Sequence, residues 1–227
     1  MIAVFDIDGT LRRAPDPWLG LHRHLGTDDR GEEFYRKFRA GELTYSEMAA
    51  LDVSTWRGMS LQRMLTWLDE NPIREGADRL VKWFADRFIP CIGISTGLSV
   101  FNDITMTVLG LNEVIGNVLV FSEGLCTGSV VVNVEEYGKA DVLRHVCQRY
   151  ALGPDKVIAF GDSRADIPMF EMVSVSVAVF PRSEDVAHSA DFVVDKEPID
   201  SVCDKLDSIL VTRRGHTCRR GLMNDHR

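Results

Sequence analysis

Four short, continuous apolar runs occur along the chain, and amphipathic helical patterns lie between most of them. The runs are Ile2–Phe5, Pro90–Ile94, Val157–Phe160 and Ser174–Val179. A strand that is apolar at every position, and not only at every second one, is suited to burial on both faces of a sheet. Such strands in alternation with helices predict an α/β fold, in which helices cover both faces of a parallel sheet.

The segment between the first two runs departs from this alternation. Residues 12–72 hold several short helical patterns and seven aromatic residues but no convincing strand, and Pro72 precedes the next core helix. We therefore expect an inserted, small all-helical domain over 12–72, whose aromatics form its own core, and a main core made of residues 1–11 and 73–211. A further irregular stretch, 118–134, predicts a β-hairpin around Gly124.

Composition and charge exclude several classes of protein. No apolar stretch approaches the roughly 18 residues that a membrane span requires, and the formal net charge of -8 argues against a nucleic-acid partner. The five cysteines are scattered and include no CxxC pair, so we expect reduced thiols and neither disulfides nor a zinc site. The start of the chain does not resemble a signal peptide, which favours a cytoplasmic location. The basic stretch 212–227 is expected to be a disordered tail.

The first apolar run delivers two carboxylates to its carboxyl end. Asp6 and Asp8 follow Phe5, and Gly9 and Thr10 come next. In an open parallel sheet, ligands bind at the carboxyl ends of the strands. Two neighbouring aspartates at the end of a buried strand repel each other unless a cation or a substrate provides a partner. This spacing therefore predicts a functional site.

A second acidic pair follows the third apolar run. Asp162 stands at the strand's end, and Asp166 lies four residues later at the start of a helix, where it could also act as a cap. Together with Asp6 and Asp8, these residues would place four carboxylates in one crevice. Oxygen ligands of this kind suit Mg²⁺, which shares its coordination sphere with water and phosphate oxygens.

Two weaker signals complete a phosphate site. Ser95, Thr96 and Gly97 follow the second apolar run and precede a helix, whose positive end attracts anions. Lys139 opens a later amphipathic helix, where a lysine is ordinarily a solvated surface residue.

Taken in order, these four segments resemble the motifs of the haloacid dehalogenase superfamily: DxD after the first strand, Ser or Thr after the second, a Lys, and GDxxxD after a later strand. The resemblance spans almost the whole chain from Ile2 to about Leu210 and implies a Rossmann-like core. A helical insertion between the first two motifs is similar to the small-cap branch that contains phosphoserine phosphatase.

The resemblance also implies roles for individual residues. Asp6 would be the nucleophile that forms an aspartyl-phosphate, and Asp8 the general acid and base. Mg²⁺ would be bound at a site made of Asp6, Asp8 (through its backbone carbonyl), Asp162 and Asp166, with Asp166 orienting Lys139 or a metal-bound water. The phosphoryl group would be bound by residues at three places in the chain: Thr10, which steadies the nucleophile's loop, then Ser95, Thr96 and Gly97, and finally Lys139.

The chain departs from phosphoserine phosphatase where that family recognises its substrate. The family's cap glutamate falls in the stretch Ala14 to Asp16, and its cap arginine falls at Asp52. Another small phosphorylated metabolite is therefore the expected partner, with no nucleic acid or membrane, for a monomer or homodimer. The candidates for recognising the leaving group are Arg12, Arg13, Asp16, Trp18 and Arg57. Transfer of the phosphoryl group to an alcohol, or a catalytically silent binding protein of the same fold, remain alternatives to hydrolysis.

Overall fold

A seven-stranded sheet forms the centre of the structure, a computed structural model that describes residues 1–14 and 16–210. The strands are β1 Ile2–Phe5, β2 Cys91–Leu98, β3 Glu113–Ser122, β4 Leu125–Val131, β5 Val157–Gly161, β6 Val175–Val179 and β7 Phe192–Val194. Their order across the sheet is β4-β3-β2-β1-β5-β6-β7. All neighbours are parallel except β3 and β4, which form the hairpin. The α/β prediction is confirmed.

Helices cover both faces of this sheet. The α-helices are α1 Pro17–Leu25, α2 Asp28–Arg39, α3 Tyr45–Thr55, α4 Leu61–Leu65, α5 Ala77–Ala85, α6 Ser99–Leu109, α7 Lys139–Arg149, α8 Ile167–Phe170 and α9 Glu184–Ser189, and a last helix spans 203–210. Because side chains alternate along a strand, Ala3 and Phe5 pack into one hydrophobic cluster with α5, while Ile2 and Val4 pack into a second cluster with α7. No described helix has both the length and the apolar character needed to cross a bilayer.

Two strands extend beyond their apolar runs. β2 continues to Leu98 through a register shift after Ile94, so Ser95, Thr96 and Gly97 lie in extended backbone and not in a loop. β3 begins at Glu113, pairs with β2 in parallel, and only then turns into the hairpin with β4. The hairpin is therefore continuous with the main sheet.

The segment 12–72 contains α1 to α4 and a 3-10 helix, Thr66–Asp69. Its three tryptophans, Trp18, Trp56 and Trp67, are buried in a cluster that also includes Phe101 of α6 and Leu119 of β3. The expectation of a separate aromatic core is wrong in this respect, because the helices bury their aromatics against α6 and the hairpin. The division into two domains stays a prediction.

Four cysteines, Cys91, Cys126, Cys147 and Cys203, lie in the described part of the chain and are free thiols. Cys218 and the basic stretch 212–227 lie outside the described residues.

Candidate active site

Asp6 and Asp162 lie side by side because β1 and β5 are neighbours in the sheet. Phe5 pairs with Phe160, and the backbone N–H of Asp6 donates to the Phe160 carbonyl at 2.9 Å. Gly9 adopts a φ of 89°, and a Cβ on it would lie 2.2 Å from Asp162 Oδ2. The turn after Asp8 therefore needs glycine for two reasons: its backbone conformation disfavours other residues, and there is no room for a side chain beside Asp162.

Lys139, the first residue of α7, joins the two acidic pairs. Its Nζ lies 2.5 Å from Asp6 Oδ1 and 2.7 Å from Asp166 Oδ1, and the side chain is fully buried. Burial lowers the pKa of Lys139, but the charges of Asp166 and Asp6 outweigh it and hold the pKa above its ordinary value. Lys139 is thus a permanent buried cation, unlike the solvated lysine that its sequence context favours.

Asp166 uses both of its carboxylate oxygens within the protein. Oδ1 accepts from Lys139, and Oδ2 accepts from the backbone N–H groups of Asp162 and Ser163 at 3.1 and 3.0 Å and from the Ser163 hydroxyl at 3.0 Å. Its carboxylate therefore orients Lys139 and closes the turn that carries Asp162.

Two other carboxylates each keep one oxygen without a protein donor. Asp8 Oδ1 accepts from Asn71 Nδ2 at 3.1 Å, whereas Asp8 Oδ2 and Asp162 Oδ2 are buried and have no hydrogen-bond partner among the described residues. Burial, followed by the charge of Asp6, raises the pKa of Asp8 to about 7. Burial and the charges of Asp6 and Asp166 raise the pKa of Asp162 well above its ordinary range. Burial also raises the pKa of Asp6, against the opposing effect of Lys139.

This arrangement fits a divalent cation. Asp6, Asp162 and Asp166 each present an oxygen within 4.8 Å of the others. The unpartnered Asp162 Oδ2 costs free energy in a buried site, and a cation would satisfy it. Because the ligands offered are all oxygens, the site suits a hard cation such as Mg²⁺.

The end of β2 forms the wall beside these carboxylates. Ser95 Oγ accepts from the Gly97 N–H at 2.9 Å, and α6 begins at Ser99. Glycine at position 97 leaves room for the Asp8 carboxyl, because a Cβ there would lie 2.5 Å from Asp8 Oδ2. Thr10 is fully buried, and its hydroxyl donates to Asp6 Oδ2 at 3.2 Å.

A cavity of about 420 Å³ opens above the carboxylates. Asp6, Asp8, Lys139 and Asp162 line it on the side of the sheet. On the opposite side, residues of α1 to α3 line it, including Trp18, Tyr35, Phe38, Arg39, Tyr45 and Asp52. The Trp18 Nε1 and Tyr45 hydroxyl both donate to the Thr96 carbonyl at 3.0 Å, so the helices contact the end of β2 directly.

Of the candidates for recognising the leaving group, Asp16 and Trp18 line this cavity and the three arginines do not. Arg12 is buried, with Nε donating to Thr105 Oγ1 at 2.7 Å and a second nitrogen donating to the Asn71 carbonyl. Arg13 is half exposed and pairs with Glu197. Arg57 packs beside Gly128 of the hairpin.

Sequence reasoning missed several residues that the fold brings to the site. Asn71 contacts Asp8, while Arg39, Asp52 and Arg182 line the cavity. Asp52 Oδ1 lies 3.0 Å from Nε2 of the fully buried His22. Helical periodicity places Asp52 on the buried side of α3, but only the packing of α1 against α3 brings His22 to it.

The chain matches known proteins along most of its length. A family model described as haloacid dehalogenase-like hydrolase matches residues 3–171. A phosphoserine phosphatase of Archaeoglobus fulgidus is 26% identical over 199 residues, which cover 86% of this chain and 57% of the relative. A phosphoserine phosphatase of Halobacterium salinarum is 25% identical over 205 residues, which cover 89% of this chain and 97% of the relative. The chain thus spans little more than half the length of the first relative and nearly all of the second.

Solved structures share the fold. The phospho-aspartyl intermediate analogue of a phosphoserine phosphatase superposes with a TM-score of 0.75 at 20% identity, covering 90% of this chain and 97% of the other. A probable phosphoserine phosphatase from Vibrio cholerae gives a TM-score of 0.83 at 23% identity, covering 94% of this chain and 66% of the other.

Proposed function

Because the chain belongs to the haloacid dehalogenase-like hydrolase family, we propose that it is a phosphomonoester phosphatase that forms an aspartyl-phosphate on Asp6. The observation that carries the proposal is the buried Asp6–Lys139 pair at the end of a central strand, with Asp8 and Asp162 on the same cavity wall. The relatives named phosphoserine phosphatase support this reaction class.

In the proposed reaction, a carboxylate oxygen of Asp6 attacks phosphorus while the bond from phosphorus to the leaving oxygen breaks. Asp8 donates its proton to the departing oxygen, a role that its pKa of about 7 suits near neutral pH. In the second half, the Asp8 carboxylate removes a proton from water as the water oxygen bonds to phosphorus. The bond from phosphorus to Asp6 then breaks, which releases phosphate and restores both residues.

The surrounding groups would neutralise and orient the phosphoryl oxygens. Lys139 supplies a fixed positive charge, and Ser95, Thr96 and Gly97 supply a hydroxyl and backbone N–H groups at the end of β2. Thr10 would hold Asp6 through the hydroxyl hydrogen bond at 3.2 Å. Each of these groups is positioned by the fold before substrate arrives, which limits the reorganisation needed in the reaction.

Asp6, Asp162 and the backbone carbonyl of Asp8 would hold Mg²⁺, with Asp166 orienting Lys139 beside them. When bound, the ion would neutralise charge on the transferring phosphoryl group. This choice of metal is supported by the buried Asp162 Oδ2, which has no hydrogen-bond partner among the described residues, and by the all-oxygen ligand set.

The substrate proposed is a small phosphorylated metabolite, because a cavity of about 420 Å³ lies in the lower part of the range of small-molecule sites. Residues 12–72 would act as a cap over the phosphate site, so the part of the substrate beyond the phosphate would contact the cap. A cytoplasmic monomer or homodimer stays the expectation for the assembly.

Hydrolysis of 4-nitrophenyl phosphate tests the proposal. We expect activity with Mg²⁺, loss of activity on chelation, and inhibition by Ca²⁺, whose looser coordination would engage extra oxygens of the nucleophile. Asp6→Asn should abolish turnover, and acid quenching of the unmodified enzyme should trap a phosphoryl group on Asp6. Full activity without metal, or a label on serine or histidine, would contradict the mechanism.

A further inference from the structure

Asn71 lies at the junction between the helical insertion and the catalytic loop, and its amide contacts the carboxyl of Asp8. We propose that Asn71 is a positioning residue, which orients the Asp8 carboxyl so that its transferable proton is held on Oδ2. The inference rests on the proposed function, because it takes from it the acid and base role of Asp8.

The orientation of the Asn71 amide is fixed by its second partner. Its Oδ1 lies 2.7 Å from the backbone nitrogen of Ala14. A backbone N–H can only donate, so the amide oxygen must face Ala14 and the NH₂ group must face Asp8. Nδ2 then donates to Asp8 Oδ1 at 3.1 Å, and a flipped amide would lose both hydrogen bonds.

This donor determines which oxygen of Asp8 carries the proton. In a neutral carboxyl group the carbonyl oxygen is the stronger acceptor, so the oxygen that receives the Asn71 N–H is the carbonyl and Oδ2 is the hydroxyl. Within the described part of the chain, Oδ2 is buried without a hydrogen-bond partner, and it lies against Gly97, where a Cβ would be 2.5 Å from it. The proton therefore faces the end of β2, beside Ser95 and the proposed phosphate site.

The proton can then pass directly to the leaving group. As the bond from Asp6 to phosphorus forms and the ester bond breaks, the proton on Asp8 Oδ2 moves to the departing alkoxide oxygen. Asp8 remains as a carboxylate, and Oδ2 takes a proton from water in the second half of the reaction. Rotation of the carboxyl, which would place the proton on the far oxygen, would cost the Asn71 hydrogen bond.

Asn71 is itself held firmly. It is fully buried, its carbonyl accepts from Arg12, and the next residue, Pro72, accepts from the Arg13 N–H at 3.0 Å. Both chain segments that connect the helical insertion to the core therefore meet at this side chain. Separation of the two connections would remove the donor from Asp8.

The test compares substrates that differ in their leaving group, all measured with the same preparation of each protein. We would measure kcat/KM, which reports phosphorylation of Asp6, for 4-nitrophenyl, phenyl and benzyl phosphates with unmodified enzyme and with Asn71→Ala. The nitrophenolate leaves without protonation, whereas the benzyl alkoxide needs the acid. We expect the ratio of benzyl to 4-nitrophenyl activity to fall by about tenfold or more, which is part of the roughly 10²–10⁴-fold that general acid catalysis contributes. Because a ratio is used, partial unfolding of the variant cancels.

Two further variants make the outcome decisive. Asn71→Leu keeps the approximate size, offers no donor to Asp8 and adds no charge beside it, so it should lower the ratio even if Asn71→Ala does not fold. Asn133→Ala removes an amide that donates to the Gly116 carbonyl at 2.9 Å, and it should leave the ratio unchanged. An equal loss on all three substrates, or no loss, in a folded Asn71 variant would overturn the positioning role. Absence of any activity in the unmodified enzyme would instead reject the proposed function.

Discussion

Asp162 is buried, 2% exposed, at the end of β5, and no residue in 1–14 or 16–210 forms a hydrogen bond with its Oδ2. Its neighbours Asp6 and Asp166 add negative charge, and together with burial they raise its pKa well above the ordinary value. A carboxyl group in this position weakens the fold unless it is protonated or bound to a cation. This cost agrees with the metal and phosphate site proposed above.

Replacement of this carboxyl should therefore stabilise the metal-free protein. In chelator we expect Asp162→Asn to raise the free energy of unfolding by roughly 1 to 3 kcal/mol, while activity is lost, because an unpaired buried charge costs more than an unpaired neutral polar group of the same shape. The pKa is raised in the folded state, so the native protein binds more protons than the unfolded chain above the ordinary carboxyl pKa. The contribution of Asp162 to the stability of the folded protein then falls as pH rises. The increase in the free energy of unfolding caused by Asp162→Asn should therefore be larger at pH 8 than at pH 5.

Denaturant unfolding measures two quantities: the free energy of unfolding in chelator, and the increase in that free energy when Mg²⁺ is added. The unmodified protein should be stabilised by Mg²⁺ and the variant much less. Glu123→Gln, at the exposed turn of the hairpin, is the matched control and should change neither quantity. A variant that is less stable in chelator would show that Asp162 supports the fold through contacts of its own.

Residue types and their place after a strand were enough to predict which carboxylates lie together. Asp6, Asp8 and Asp162 could be predicted because each follows an apolar run, and parallel strands end at one edge of a sheet. Asn71 could not, because it contacts Asp8 across 63 positions of sequence and nothing local marks it. Arg12 was expected to face substrate, yet its guanidinium lies among Thr105 and the backbone of Asn71.

At the scale of elements, the apolar pattern predicted the buried central strands well, but it predicted the outer strand β7 and the end of β2 poorly. β1, β5 and β6 match their apolar runs closely because both faces of each strand are covered. β7 has only three residues and was not predicted. The extension of β2 to Leu98 depends on pairing with β3, which a local pattern cannot indicate.

The helices of segment 12–72 are fastened to the core through one shared hydrophobic cluster. Trp67 meets Phe101 of α6 edge to face, with ring centroids 4.9 Å apart, and Gly20 fits closely against the indole. Leu119 and Cys126 of the hairpin complete the cluster. Part of the energy that holds these helices in place therefore comes from residues outside the segment.

Phe101→Ala should show this coupling. Loss of a buried phenyl ring costs about 3–5 kcal/mol, and amide exchange should quicken in 61–69 as well as in α6. Phe88→Ala is the matched control, because Phe88 is 95% exposed and its removal should change little. Faster exchange in α6 alone would mean that the helices of 12–72 hold their structure independently.

At the scale of the whole molecule, the strand order explains where the site lies. β1 is central, and the chain goes to β2 on one side of it and later to β5 on the other. The carboxyl ends on either side of β1 leave a crevice at this switch point, where ligands bind in open α/β sheets. The motif at β2 and the motif at β5 therefore converge on Asp6 although they are far apart in sequence.

The wall of the cavity opposite this crevice carries both signs of charge. Asp16, Asp52 and Arg39 line it, while Arg182, whose backbone N–H donates to the Asp162 carbonyl at 2.8 Å, lines the cavity on the side of the sheet. Arg39 lies 3.7 Å from Glu136, so part of its charge is already compensated. Asp52 is 3% exposed and lies 3.0 Å from His22 Nε2, which places a carboxyl group on the wall of the cavity proposed to bind substrate.

A carboxyl group at position 52 should disfavour substrates that carry a carboxylate of their own. Phosphoserine and 2-aminoethyl phosphate differ by that one group, so the ratio of their kcat/KM values isolates its effect. We expect Asp52→Asn to raise the ratio of kcat/KM for phosphoserine to kcat/KM for 2-aminoethyl phosphate by about fivefold, on the order of 1 kcal/mol.

Burial, with a contribution from Asp16, raises the pKa of Asp52 against the opposing effect of His22. The carboxyl therefore gains charge as pH rises, so the effect of the substitution should be larger at pH 8 than at pH 6. Asp78→Asn, on the exposed face of α5, is the control for a lost surface charge. An unchanged ratio in Asp52→Asn at both pH values would mean that the substrate does not approach this wall of the cavity.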